Sequence, residues 1–212
     1  MTRTWPWLAA AAGAGVTAIA AAVGGQWLLL AATKPLTTLL LIALAWQRGG
    51  EERRRRAILA GLALSLLGDI ALLWPQQGFL PGLVAFLLAH LAYLVAFTAS
   101  TRFAARWWPF SAYAVFAAVA LSVLWPGVPQ PLRVPVIAYV ACLASMAAQA
   151  ACWALAEGGF ARRAAIGGAL FLASDTLLAF NKFAQPFALA PLAVLSTYWV
   201  AQAFIALSLP RR

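Results

Sequence analysis

A chain of 212 residues that is 65% hydrophobic and only 9% charged cannot dress a soluble domain, whose surface needs about 25% charged residues. Its apolar runs of roughly 20 residues lack barrel-type alternation and specify an all-α, polytopic membrane bundle. The formal net charge of +10 requires no nucleic acid, because the basic residues fall in short loops between apolar runs, where they set topology.

Punctuation by charges, prolines and glycines predicts one integral membrane domain over 1–212 with eight spans, at 5–23, 26–47, 57–74, 79–100, 107–125, 132–156, 164–183 and 187–209. The first follows Arg3 with an Ala-rich run that resembles a secretory signal; its retention is expected because an even number of spans then obeys the charge bias. In the second, Pro35 removes an amide donor and frees the carbonyl of Ala31. Beside Lys34 this break is either a plain kink, with the lysine snorkelling to headgroups, or the opening of a polar cavity. The Glu51-Glu52-Arg53-Arg54-Arg55-Arg56 stretch reads as a solvated loop that also attracts anionic headgroups, at about 1 kcal/mol per basic residue.

The third span carries Gly61, Ser65 and Gly68 at steps of four and three, a face on which another backbone is expected to approach beside Asp69. The fourth sets Gly82, Phe86, His90, Tyr93 and Phe97 on one stripe. Cys142 and Cys152 in the sixth read as packing thiols, and a single His leaves no metal set. The seventh presents Gly167, Phe171, Ser174 and Leu178 together, with Asp175 at the edge of the stripe. Tyr198 and Gln202, one turn apart in the eighth, form a donor and acceptor pair or ordinary interhelical hydrogen bonds.

Charge orients the bundle. With the N-terminus cytoplasmic, Arg3, Arg48, Arg53 to Arg56, Arg102, Arg106, Arg162, Arg163, Arg211 and Arg212 all fall inside, and Arg133 and Lys182 outside. Adding Lys34 within the membrane accounts for all 15 basic residues, so eight spans with both termini inside a bacterial-type inner membrane is self-consistent.

Only five acidic residues occur, yet Asp69 and Asp175 sit in apolar spans, where a carboxylate costs roughly 2.5–3.5 kcal/mol at a helix centre. At 1.5 Å per residue, Asp69, Asp175, Lys34 and His90 fall about 8–16 Å below the outer boundary, in one layer. A core histidine bonded to a neighbour is the alternative for His90. The third and seventh spans also share an Arg-Arg-Ala start and a late Asp, the weak trace of a duplicated four-helix unit.

Lys34-Pro35, Gly68-Asp69, the fourth-span series Phe79, Gly82, Phe86, His90 and Tyr93, the Gly168-Ala169, Phe171 and Ser174-Asp175 group, and Tyr198 with Ala201-Gln202 together resemble the YhhN-type membrane proteins, which include the lysoplasmalogenases. The resemblance implies hydrolysis of the vinyl ether bond of a bilayer lysophospholipid, giving a fatty aldehyde and a glycerophospho-alcohol. That chemistry needs one proton donor and one anion, and neither cofactor nor metal. Asp69 and Asp175 are the expected catalytic pair, with the assignment of acid and base open. Lys34, His90, Tyr93, Ser174, Tyr198 and Gln202 are the expected substrate-binding residues, and the alkenyl chain is expected in a Phe- and Leu-lined slot. A proton-coupled carrier using the same groups is the competing class, since relays also place Asp, His and Lys in membranes; Lys34 binding an aldehyde chromophore is a remoter third.

Overall fold

A computed structural model describes residues 4–211; Arg3 and Arg212, placed above with the inner-side charges, lie outside the described residues. Eight α-helices follow in order: α1 (Trp5–Val23), α2 (Trp27–Trp46), α3 (Glu52–Ala71), α4 (Phe79–Phe97), α5 (Trp107–Leu124), α6 (Arg133–Glu157), α7 (Ala161–Phe183) and α8 (Ala190–Leu207). Single 3-10 turns at Trp125–Gly127 and Gln130–Leu132 join α5 to α6. Among the described residues no strand forms beyond an isolated antiparallel bridge between Arg48 and Arg211.

Seven helices are long and apolar enough to cross a membrane by length and composition; α3 is the exception. Its first turns are Glu52-Arg53-Arg54-Arg55-Arg56, and the helix starts five residues before the expected span because these charges pair along it. Arg56 Nε lies 2.7 Å from Glu52 Oε1 one turn back, the spacing at which opposite charges support a helix. The eighth helix starts later than expected, at Ala190, with Pro191 in its first turn, where a missing amide hydrogen costs nothing.

Antiparallel neighbours make the closest packings, α3 on α4, α7 on α8 and α1 on α2, with α6 on α7. Contacts of α4 with α6, α2 with α3 and α8 with α1 and α2 close the bundle, while α5 packs chiefly on α6. Tyr93, Phe97, Phe171, Ile58, Leu62 and Ile205 fill its centre, whereas Val16, Leu28 and Val134 stand exposed outside. An apolar exterior around a filled centre is the pattern for a protein solvated by lipid tails.

The small-residue face of α3 is used differently from the expectation. A Cβ at Gly61 would meet the Tyr93 ring at 2.3 Å, and one at Gly68 the Phe86 ring at 2.5 Å. Aromatic rings of α4, rather than its backbone, fill these notches. Close backbone approach occurs on α7, where a Cβ at Gly167 would lie 2.9 Å from the Ala201 carbonyl oxygen and one at Gly168 3.1 Å from the Ala147 Cα.

Apart from Arg133, the described arginines gather at one end, and several of them are not simply solvated. Arg48 and Arg54 are buried. Arg48 Nη1 donates to the Leu209 carbonyl at 3.3 Å, Arg163 Nη1 to Leu207 at 3.0 Å, and Arg55 to the carbonyls of Arg48 and Trp46, both at 3.1 Å. These are carbonyls that the C-terminal ends of α2 and α8 leave without helical partners. The Arg54 guanidinium also lies 4.2 Å from the centre of the Trp153 ring.

Candidate functional site

Opposite the arginine end, α2, α3, α4, α7 and α8 enclose a polar cavity of about 260 Å³ whose wall includes Lys34, Asp69, Ser174, Asp175, Tyr198 and Lys182. Helical registers deliver these groups. Asp69 lies in the last turn of α3, while Lys34 is the eighth residue of α2 and Tyr198 the ninth of α8. Running antiparallel or parallel as they do, the helices bring these groups to a common depth.

Asp69 has a cation and two hydroxyl partners. Lys34 Nζ stands 3.7 Å from Oδ1, and Oδ2 accepts from the Thr38 hydroxyl at 2.6 Å and the Tyr198 hydroxyl at 2.8 Å. Behind Tyr198 the bonds continue: Gln202 Nε2 donates to the Tyr198 oxygen at 3.2 Å, and the Tyr93 hydroxyl to Gln202 Oε1 at 2.6 Å. A buried ion pair supported by further hydrogen bonds is the arrangement in which a carboxylate tolerates low dielectric, and here both bonds go to Oδ2.

Asp175 has a different setting. Its Oδ2 accepts from the Tyr139 hydroxyl, and His90 holds Nε2 4.0 Å away. No Lys or Arg lies within ion-pair distance among the described residues. Its side chain is 13% exposed against 1% for Asp69, and it also walls a second cavity lined by Phe, Leu, Val and Ala of α4 to α7, including Phe116, Leu121, Val136 and Leu143. Leu72, Phe79, Phe86 and Leu178 line both spaces. Asp175 therefore stands where a polar chamber meets an apolar slot.

Not every expected residue reaches the chamber. His90, Tyr93 and Gln202 are fully buried behind its wall. His90 does not bond a neighbour: neither ring nitrogen has a hydrogen-bond partner in the protein, and the ring sits edge-on to Phe171 at 4.6 Å and Tyr139 at 5.2 Å between centroids. Ser174 lines the chamber, but its hydroxyl donates to the Val194 carbonyl at 2.9 Å and joins α7 to α8.

Sequence reasoning passed over Thr38, Tyr139, Asn181 and Lys182. Thr38 was traceable, one turn after Lys34 and on the same face. Tyr139 had a fainter signal. Of the four tyrosines, Tyr93, Tyr139 and Tyr198 donate into this network, but on α6 nothing adjacent in sequence marks Tyr139 as polar-facing.

The family model described as YhhN family matches residues 29–209. Over 153 residues the chain is 37% identical to Lysoplasmalogenase TMEM86B of Sus scrofa, covering 69% of this chain and 60% of that protein. It is 34% identical over 156 residues to Lysoplasmalogenase TMEM86A of Homo sapiens, covering 71% and 64%. Over 125 residues it is 30% identical to Uncharacterized membrane protein YhhN of Escherichia coli O6:H1, covering 58% and 57%. The chain thus spans about three fifths of the length of the relatives it matches. No solved structure matches it.

Proposed function

The chain belongs to the YhhN family, and on that premise we propose that it is a membrane-embedded hydrolase that cleaves the vinyl ether bond of lysoplasmalogen-type lysophospholipids. The observation that carries this reading is the unequal pair of carboxyl groups on one cavity, Asp69 ion-paired to Lys34 and Asp175 without a cation.

An unpaired carboxylate at membrane depth is the costlier state, and a proton removes that cost. Asp175 is then the acid and Asp69 the ionised partner. Asp175 transfers its proton to the β-carbon of the vinyl ether, and the C=C electron pair forms the new C–H bond, leaving an oxocarbenium ion. Water adds to the cationic carbon and returns a proton to Asp175. The hemiacetal collapses with transfer of its hydroxyl proton to the departing oxygen, giving the aldehyde and the glycerophospho-alcohol. Asp69, across the chamber, opposes the positive charge of the intermediate and accepts a hydrogen bond from the water. The alkenyl chain lies in the apolar slot beyond Asp175. Tyr139, whose hydroxyl donates to Asp175 Oδ2, positions the acid, with His90 Nε2 4.0 Å from the same oxygen.

The carrier alternative needs a polar route to both faces. Below the Tyr93 and Gln202 layer the centre is closed by Leu44, Ile58, Leu62 and Phe97, all buried, which favours a one-sided pocket.

The protein is a single integral domain in this reading, with all eight helices spanning and both termini cytoplasmic. The apolar part of α3, residues 57–71, is about 22 Å long, and its arginines lengthen the span by snorkelling. A bacterial inner membrane fits the arginine-rich ends. The deciding experiment measures aldehyde release from a 1-alkenyl lysophospholipid by purified protein in detergent. D175N and D69N are each expected to lose at least about 100-fold in kcat while keeping their elution profile; D175N keeps the wild-type melting temperature, and D69N, which strands Lys34, melts lower. Near-normal turnover by either variant overturns the assignment of that residue.

A further inference from the structure

Lys182 belongs to none of the networks described above. It lies in the last turn of α7, exposed, and among the described residues no carboxylate stands within ion-pair distance of it. Its Nζ rests 4.1 Å from the centre of the Phe79 ring. The residue walls both the catalytic chamber and a further cavity of about 320 Å³ that includes Gln76 and Gln77 from the α3–α4 link. Asn181 beside it also lines the chamber; its Oδ1 accepts from the Phe187 amide at 3.1 Å, which leaves the carboxamide nitrogen as a donor.

The separation matches a molecular ruler. Asp175, Leu178 and Lys182 follow at steps of three and four on one face of α7, so Lys182 stands about 10 Å beyond Asp175 along the helix. In a lysoplasmalogen, seven bonds separate the vinyl carbon that takes the proton from the phosphorus, an extended distance of about 8 Å at roughly 1.2 Å per bond. With the vinyl group at Asp175 and the chain in the apolar slot, the phosphate reaches the lysine, and the headgroup alcohol passes into the cavity beyond. Lys34 is not available for this, because it neutralises Asp69.

We propose that Lys182, with the Asn181 carboxamide, is the phosphate-recognising element of this site and makes the protein selective for phosphorylated over phosphate-free alkenyl glycerolipids. This rests on the hydrolase reading above. The shared chemistry, a cation meeting a phosphodiester, would also serve bulk membrane headgroups, so the test separates the two.

Full-length protein in neutral maltoside detergent is assayed on 1-alkenyl-glycerophosphoethanolamine and on 1-alkenyl-glycerol. The K182Q variant is expected to raise the KM ratio of phosphorylated to phosphate-free substrate about tenfold, and K182R to restore most of it. An unchanged ratio, or equal losses on both substrates, overturns the proposal. So does a lysine effect that appears only when phosphatidylglycerol vesicles are added, which assigns Lys182 to bulk lipid. If the wild-type protein turns over neither vinyl ether, the hydrolase reading fails by itself. Binding of the uncleavable 1-alkyl counterparts then decides Lys182 separately: a wild-type preference for the phosphorylated ligand that K182Q removes supports it, and one that K182Q keeps, or no preference, defeats it.

Discussion

Lys34 and Asp69 neutralise each other at 3.7 Å in a place where neither is solvated. Removing one member of such a pair strands the other charge, at a cost of roughly 3–5 kcal/mol, whereas replacing both costs far less. K34Q is therefore expected to melt well below the wild type in detergent, and the double variant K34Q/D69N to recover most of that loss while staying inactive. A double variant no more stable than K34Q would remove the ion pair from the account. Tyr198 differs from Tyr93 in what its hydroxyl touches: the first bonds the carboxylate directly, the second only through Gln202. Loss of one hydrogen bond to a charged group is worth about 1.5–3 kcal/mol. Y198F should lower kcat by at least about tenfold with little change in KM, and Y93F by clearly less; steady-state kinetics in which Y93F is the more damaging would reverse the order of the chain.

At the scale of elements, the meeting of α3 and α4 decides the chamber's wall. Phe86 occupies the notch of Gly68 and is held edge-on by Tyr198 at 5.7 Å and Phe171 at 6.3 Å between ring centres. A methyl group at Gly68 would need the ring to move, and its aromatic neighbours oppose that. G68A is expected to cost about 1–3 kcal/mol, the usual penalty of overpacking, and to depress turnover because Phe86 walls both cavities. Gly13 on α1 has nothing within 4 Å of its would-be Cβ, so G13A should leave melting temperature and kcat at wild-type values or above. Equal behaviour of the two variants in a thermal-shift assay would sink this view of the notch. Gly61, Ser65 and Gly68 were readable as one small-residue face from their spacing alone. That rings rather than backbone would fill it depended on how Tyr93 and Phe86 point, which no spacing on α3 encodes.

For the whole molecule, the count of spans turns on α3. Reporter fusions at the two ends should lie on the same side, the cytoplasm, if eight helices span, and on opposite sides if α3 does not cross. The first and last helices, α1 and α8, pack on each other along one groove. Length, apolar content and the placing of charges determined by themselves that the chain is a helical membrane protein and where most helices run, because the cost of burying peptide groups and charges in hydrocarbon is local and strong. The isolated aspartates were visible for the same reason. Only the tertiary structure decided that Lys34 serves Asp69 while Tyr139 serves Asp175, that His90, Tyr93 and Gln202 stand behind the wall, and that Asp175 faces an apolar slot. Those relations join residues on different helices, and they depend on helix rotations and side-chain directions set by packing across the bundle rather than by any one segment.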